Sequence, residues 1–299
     1  MKKQMPEPSL ECTLHPERDS AYRHFENAAQ HPFDAAAAQM TRRNAWWLAE
    51  AALLSYWPAQ QALPIFQQAG LQAQRLDAGS TNCYVAWQDD WVMVAFRGTQ
   101  PDQWGDVLDD LKFPPVAWTT GRVHGGFHDA FSRIRPSLEG RLQALAPGRS
   151  VWFSGHSLGA ALAILAADWW PDTRGVCTIG TSRVGDPLFA RAFSAKFAGR
   201  SWRYANDNDI VPHLPPPLLG PLAYEHVPSP LYIAGDGTVS SARPRIFSFF
   251  ADLIGSVGFV AQLFASLDRG QVRIAPEFVL DHMPSAYTTA IWNDYEANR

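Results

Sequence analysis

The sequence predicts an α/β fold with a mainly parallel central sheet and helices on both of its faces. Strand-like and helical segments alternate through the middle of the chain, and a glycine-flanked serine falls between a short β-like run and a strongly helical one. The composition agrees, because 46% hydrophobic and 18% charged residues in a chain of 299 residues are typical of a protein with a sizeable buried core.

The predicted elements begin with an amphipathic helix from Asn44, where an N-cap candidate precedes apolar residues at helical spacing. Two β-rich runs follow, CYVAW and WVMVAFRG, and the turn-like QDD between them predicts a hairpin whose second strand is buried. The further predictions are helices near residues 127–145, 158–169 and 187–197, and strands at 150–154, 175–179 and 201–205. Elements in this order favour a parallel sheet.

Residues 1–41 are predicted to form an N-terminal extension or a loosely packed arm, because they are polar, contain four prolines and show no sustained periodicity. Residues 42–299 are predicted to form a single domain. The first residues include two lysines but no continuous apolar run, so no classical signal peptide is expected. We therefore expect a cytoplasmic or non-classically exported protein, or one at the periphery of a membrane.

Charge and cysteine content exclude several classes of partner. The formal net charge of -4 gives no basic field for nucleic acid, so no nucleic-acid partner is expected, and any contact with lipid must be mainly apolar. The three cysteines lie far apart, without metal-ligand spacing or a disulfide framework. No metal site is therefore expected, while the oligomeric state stays open.

Residues 155–159 form a G-x-S-x-G pattern centred on Ser157. A sharp strand-to-helix turn would hold Ser157 in a strained conformation above the sheet edge, as a nucleophile requires. The helix N-terminus and the amide of Leu158 would then face a developing oxyanion. The alternative interpretation is a simple glycine-flanked turn.

A serine nucleophile needs a histidine base and an acid that orients it. His282 precedes a predicted helix, where a loop would present its ring to Ser157, and we favour it as the base. His226 is the second candidate. His213 lies in a proline-rich stretch and is interpreted as a loop or pocket-wall residue.

The acid is sought directly after a strand, at the carboxyl edge where open α/β sheets place their ligands. Asp207 and Asp209 both occupy this position. Asp209 is preferred because the apolar residues after it would anchor the loop, whereas Asp207 is interpreted as a solvated loop residue. Asp281 would point away from its neighbour His282 in most loop conformations.

From residue 44 to the C-terminus the chain resembles the class 3 lipase family, typified by fungal triacylglycerol lipases. The resemblance lies in VAFRGT, VHGGF, GHSLG, SRVGDP, NDIVPHLPP and a late DH pair, which occur in the family's order. It implies the α/β-hydrolase fold, with Ser157 as nucleophile, Asp209 as acid and His282 as base. It further implies an oxyanion hole built from the amides of Thr99 and Leu158, and the chemistry requires no cofactor.

Two apolar segments accompany these residues. Residues 100–113 place Trp104 and Leu108 at helical spacing opposite acidic residues, at the position of the family's lid, although a fixed surface helix would show the same pattern. Residues 246–267 predict a cap over an acyl pocket or a helix docked at a lipid interface, with an ordinary buried helix as the alternative. A membrane-spanning helix is disfavoured, because it would separate Asp209 from His282. The lid and substrate-binding candidates are Trp104, Leu108, His156, His213, Phe250, Val257 and Phe264.

The sequence therefore predicts a serine carboxylic-ester hydrolase, a lipase that cleaves acylglycerol esters through an acyl-enzyme on Ser157. Its expected partner is a lipid or ester substrate, with peripheral contact with a lipid interface. Two alternatives keep the fold and change the substrate, namely a phospholipase A1 and an esterase acting on soluble or feruloyl esters. A non-catalytic membrane-surface binding protein on the same scaffold is the alternative from another class.

Overall fold

A computed structural model describes residues 1–98, 114–206, 209–215, 223–227, 230–242 and 277–299. Within these ranges the strands are β1 (Gln72–Ala78), β2 (Thr81–Trp87), β3 (Trp91–Phe96), β4 (Pro115–Ala117), β5 (Arg122–His124), β6 (Ser150–His156), β7 (Thr173–Ile179), β8 (Ser201–Asn206), β9 (Pro230–Ile233) and β10 (Val239–Ser240). The helices are α1 (Leu10–Leu14), α2 (Arg42–Leu54), α3 (Ala59–Gln68), α4 (Gly125–Leu145), α5 (Leu158–Trp169), α6 (Pro187–Lys196), α7 (Glu277–Leu280) and α8 (Pro284–Ala297).

The central sheet has the order β1-β2-β3-β6-β7-β8-β9-β10. Its middle, from β3 to β9, is parallel, while β1, β2 and β3 form an antiparallel meander and β9 pairs with β10 as a hairpin. Both faces of β3 are buried, which is why its sequence is continuously apolar rather than alternating. The predicted mainly parallel sheet is confirmed.

The first long helix begins earlier than the sequence pattern indicates. Thr41 is its N-cap and accepts a hydrogen bond from the Asn44 main-chain N–H at 3.1 Å. The side chain of Asn44 instead bonds both main-chain polar groups of Asp34, at 2.8 and 2.9 Å. The helix ends at Leu54, so Tyr56 lies in the turn that follows it.

Helices cover both faces of the sheet. On one face α4, α5 and α6 pack against the strands and form a core of mainly aliphatic and phenylalanine side chains. On the other face α2, α3 and α8 form a core rich in tryptophan and tyrosine. We call these the aliphatic face and the aromatic face. The strands β6, β7 and β8 end at the same edge of the sheet. An α/β sheet places its ligands at this edge, beyond the carboxyl ends of its strands.

Residues 1–41 are packed against the rest of the chain, with Leu14 in the aliphatic core and the later residues against the aromatic face, which differs from the predicted loose arm. Phe25 and Phe33 are buried among its aromatic residues. Trp292 on α8 donates to the Met1 carbonyl at 2.9 Å, and Asn293 exchanges two hydrogen bonds with the main chain of Lys3. The apolar residues that make these contacts are too scattered to produce a periodic pattern. The boundary between residues 41 and 42 stays a prediction.

No helix in the described ranges is long and apolar enough to cross a bilayer. The apolar segment at residues 246–267 lies outside these ranges.

Candidate active site

Ser157 occupies a sharp turn between β6 and α5. Its backbone angles, φ 57° and ψ -127°, are strained for a residue with a side chain. The flanking glycines permit the close approach of strand and helix: a Cβ at Gly155 would lie 2.2 Å from the Gly159 carbonyl oxygen, and one at Gly159 would lie 2.2 Å from that of Phe96. The turn therefore needs glycine on both sides and projects Ser157 at the sheet edge.

His282 and Asp209 form a buried hydrogen-bonded pair. The distance from His282 Nδ1 to Asp209 Oδ2 is 2.7 Å, and the two side chains are 2% and 0% exposed. Asp209 follows β8, and His282 lies in the two-residue turn region before α8. The sequence separates the two residues widely, but the parallel sheet and the docking of α8 bring them together.

Tyr287 on α8 holds the carboxylate of Asp209 from a second direction. Its hydroxyl donates to Asp209 Oδ2 at 2.6 Å and accepts from the Asn206 main-chain N–H at 2.8 Å, while Val211 N–H donates to Oδ1 at 2.9 Å. Burial and the neighbouring carboxylate raise the pKa of Tyr287 well above its usual value of 10, so the phenol stays protonated and donates. Three donors thus fix the carboxylate.

The pair lies beside the turn that carries Ser157. Ser157 N–H donates to the Ile179 carbonyl at the end of β7, at 3.0 Å. A Cβ at the next residue, Gly180, would lie 3.0 Å from His282 Cε1 and 3.1 Å from Asp209 Oδ2. The base and acid candidates therefore lie beside Gly180, the residue after the one whose carbonyl accepts from Ser157 N–H.

Residues 93–219 match the family model described as Lipase (class 3). This region is similar to the class 3 lipase family, over less than half of the chain. It contains Ser157 and Asp209, while His282 lies beyond its end. Over 157 residues the chain is 35% identical to a lipase of Rhizomucor miehei, an alignment that covers 47% of this chain and 42% of that protein. Over 120 residues it is 33% identical to a secreted mono- and diacylglycerol lipase of Malassezia globosa, covering 37% of this chain and 38% of that one.

The chain thus spans about two fifths of the length of the curated lipases it matches. Among solved structures, a propeptide complex of the Rhizomucor miehei lipase superposes with a TM-score of 0.55 at 22% identity, over 78% of this chain and 85% of that one. At this identity the likeness shows the fold, which is that of the α/β-hydrolases, as predicted.

The expectation of a cytoplasmic or non-classically exported protein is wrong, because the Malassezia lipase that the chain matches is named as secreted. The expectation rested on the composition of the first residues. That composition is a weak guide to export in a chain that aligns with only part of its relatives.

His156 lies behind the turn, which differs from its predicted place in a lid or substrate-binding surface. It is 2% exposed, and both ring nitrogens have internal partners: Nδ1 lies 2.7 Å from the Tyr56 hydroxyl and Nε2 lies 3.1 Å from the His282 carbonyl oxygen. Its ring centroid is 4.4 Å from that of His282. Burial, followed by repulsion from His282, holds the pKa of His156 well below its usual value of 6.5.

The two other histidine candidates lie in the loop after β8. His213 ends a short 3-10 helix and is partly buried. His226 Nε2 hydrogen-bonds the Pro212 carbonyl, and burial, reinforced by Arg203 and Arg183, lowers its pKa well below 6.5. His282 is the histidine that the structure joins to Asp209.

Leu158 is the first residue of α5, where a main-chain N–H has no acceptor within its own helix. Its role as an oxyanion donor stays a prediction. The remaining predictions fall outside the described residues, namely Thr99, Trp104, Leu108, Asp207, Phe250, Val257 and Phe264, with the segments 100–113 and 246–267.

Sequence reasoning missed Tyr56, whose hydroxyl contacts His156, and Tyr287, whose hydroxyl contacts the candidate acid. Each stands in an apolar helical pattern, and the pattern gives no sign of where a hydroxyl points. The sequence offered one signal for Tyr287: it follows His282 by five residues and lies inside the predicted helix after it. No cluster of histidine, cysteine or acidic side chains in the described part of the chain fits a metal ion.

Proposed function

We propose that this chain is a serine carboxylic-ester hydrolase, a lipase that cleaves acylglycerol esters through an acyl-enzyme on Ser157. The observation that carries the proposal is the buried 2.7 Å hydrogen bond between His282 and Asp209, at the sheet edge where Ser157 occupies its strained turn. Secretion belongs to the same proposal, by analogy with the name of the Malassezia relative.

The pair determines which nitrogen of His282 acts as the base. Asp209 accepts hydrogen bonds from Tyr287 and Val211, and its Oδ2 also accepts the Nδ1–H of the imidazole. The lone pair of neutral His282 then lies on Nε2, the ring atom that can accept the hydroxyl proton of Ser157. Asp209 also stabilises the imidazolium that forms.

The reaction follows in two stages. As Nε2 of His282 accepts its proton, Ser157 Oγ attacks the ester carbonyl carbon, and the carbonyl oxygen becomes an oxyanion. The N–H of Leu158 and the positive end of α5 stabilise that charge, with Thr99 as the second donor that the family resemblance implies. The tetrahedral intermediate collapses, His282 protonates the departing alcohol, and the acyl group stays on Ser157.

Deacylation repeats the stages with water as the nucleophile. His282 accepts a proton from water, the hydroxide attacks the acyl carbon, and Ser157 Oγ leaves with the proton from His282. A carboxylic acid is released and the free enzyme returns. Acylglycerol as substrate is inferred from the name of the Malassezia relative. Contact with a lipid interface is inferred from a solved fungal lipase–inhibitor complex that is described as a model for interfacial activation in lipases.

The test measures hydrolysis of p-nitrophenyl esters of increasing acyl length, with and without micelles. We expect Ser157→Ala to lower kcat by about 10⁴-fold or more, because no other group replaces the nucleophile. Ser154→Ala is the matched control: it removes a buried hydroxyl from the same strand, three residues earlier, and should leave kcat near that of the wild type.

Full turnover by Ser157→Ala would refute the proposal. A preference for long acyl chains with a rise in rate at the micelle interface supports a lipase. A preference for short soluble esters, or for phospholipids, would keep the mechanism and replace the acylglycerol substrate.

A further inference from the structure

The Tyr56–His156 pair lies directly behind the turn that carries Ser157. Tyr56 follows the C-terminal end of α2, and its hydroxyl lies 2.7 Å from Nδ1 of His156, the last residue of β6. Both side chains are buried, at 5% and 2% exposure. A buried polar pair of this kind must satisfy its hydrogen bonds internally, so it fixes the relative position of the segments it joins.

The other nitrogen of His156 contacts the main chain of the candidate base. His156 Nε2 lies 3.1 Å from the His282 carbonyl oxygen, which can only accept a hydrogen bond, so Nε2 must carry the proton. The ring is neutral because burial lowers its pKa. Nδ1 therefore accepts, and the Tyr56 hydroxyl donates to it. The contacts therefore fix His156 as the Nε2–H tautomer and Tyr56 as the donor of the hydrogen bond between them.

Tyr56 also contacts a third segment. The Gly98 main-chain N–H stabilises the phenol oxygen of Tyr56, and a Cβ at Gly98 would lie only 2.0 Å from that oxygen. Gly98 follows the end of β3, so the hydroxyl touches the segment after β3 as well as the end of β6. A residue larger than glycine at position 98 would displace the tyrosine.

We propose that Tyr56 and His156 are positioning residues that hold the main chain of His282 in register with Ser157. The inference rests on the proposed function. Asp209 and Tyr287 orient the imidazole from its Nδ1 side, whereas the Tyr56–His156 pair restrains the backbone from which the imidazole projects. Ser157 follows His156 directly, so the residue whose ring contacts the His282 carbonyl is also the neighbour of the nucleophile.

The decisive variant is Tyr56→Phe, which removes one hydroxyl and keeps the ring. Its matched control is Tyr84→Phe, because the buried Tyr84 hydroxyl donates at 2.8 Å to the carbonyl of Trp57, in the same turn but away from His156. Hydrolysis of p-nitrophenyl butyrate is measured per active site, with sites counted by complete reaction with a chromogenic phosphonate. A purely structural defect lowers the number of sites and leaves the rate per site unchanged.

We expect Tyr56→Phe to lower kcat per site about tenfold with little change in KM, because small misplacements of a base are costly to the chemical step. Tyr84→Phe should leave kcat per site within about twofold of the wild type. Equal rates per site for Tyr56→Phe and Tyr84→Phe would overturn the proposal.

A second pair of variants tests the link to the His282 carbonyl. His156→Gln keeps a donor near the position of Nε2, whereas His156→Leu removes it. We expect His156→Leu to lower kcat per site about 100-fold and His156→Gln to restore most of that loss. Equal losses would argue against the link. If His156→Leu does not fold, the comparison of the two tyrosine variants decides alone.

Ser157→Ala in the same assay separates the two proposals. An active Ser157→Ala enzyme would overturn both. An inactive one, together with indistinguishable rates per site for Tyr56→Phe and Tyr84→Phe, would overturn the positioning role alone.

Discussion

The two faces of the sheet support the candidate site in different ways. On the aliphatic face, α5 packs against the strands through small and aliphatic side chains, and the glycines around Ser157 allow the contact to be close. On the aromatic face, the ring N–H of His156 reaches the base and the hydroxyl of Tyr287 reaches the acid, and Tyr56 hydrogen-bonds the other ring nitrogen of His156.

This difference indicates that packing determines the position of the nucleophile, whereas directed polar contacts determine the orientation of the base and the acid. Packing is non-directional and contributes mainly to stability, whereas hydrogen bonds fix orientation and contribute less net free energy. Apolar substitutions in the core of the aliphatic face should therefore change the free energy of unfolding, and loss of the hydrogen bonds that lead to His282 and Asp209 should change turnover per active site.

The largest effect is expected for Leu138→Ala on α4, in the core of the aliphatic face. Leu138 is fully buried, and its removal should lower the free energy of unfolding by about 2 to 5 kcal/mol through lost burial and a residual cavity. Denaturant unfolding measures this loss. We expect kcat per titrated site to stay unchanged, and a large fall in kcat per site would break the distinction between the faces.

A smaller effect, on turnover, is expected for Tyr287→Phe. The variant removes the 2.6 Å hydrogen bond to Asp209, a bond to a charged group worth about 2 kcal/mol, and kcat per site should fall about 30-fold. Tyr204→Phe is the control on the same face, since the Tyr204 hydroxyl has no hydrogen-bond partner among the described residues. Equal rates per site in the two variants would show that Tyr287 serves stability alone.

The smallest effect concerns Glu50 on α2, where the aromatic face meets residues 1–41. Its carboxylate accepts from Trp46 and Tyr22 and lies 3.6 Å from both Lys3 Nζ and His24 Nδ1. Burial alone would raise the pKa of Glu50, but the proximity of His24 and the charge of Lys3 outweigh it and leave the pKa below its usual value of 4.5.

A carboxylate with a lowered pKa stabilises the fold above about pH 4.5, and this contribution disappears as the pH falls further. We expect Glu50→Gln to lower the free energy of unfolding at pH 7, with the difference from the wild type shrinking towards pH 3. Melting temperatures across this range measure it. Glu139→Gln on α4 is the control, and a constant Glu50→Gln difference at every pH would contradict the assigned ionisation.

The strand-and-helix order and the turn at Ser157 could be predicted because their signals are local. Periodicity, glycine spacing and chain order suffice for β3, β6 and α5. Asp209 and His282 could be selected because a strand end and a motif restrict the choice. Tyr56 and Tyr287 could not be selected, because the direction of a hydroxyl depends on contacts that are made only in the folded chain. The burial of Phe25 and Phe33 could not be predicted either, because it depends on their packing against α2 and the sheet.

On the proposed assignment, the order of residues along the chain has a consequence for biosynthesis. A ribosome delivers Ser157 and its turn long before it delivers His282, which follows His156 by 126 residues, and Tyr287 comes later still. Until α8 has docked, the nascent polypeptide carries a nucleophile with no base beside it. Ester cleavage therefore starts only after the C-terminal helix is in place, and an unfinished chain is harmless to surrounding lipid.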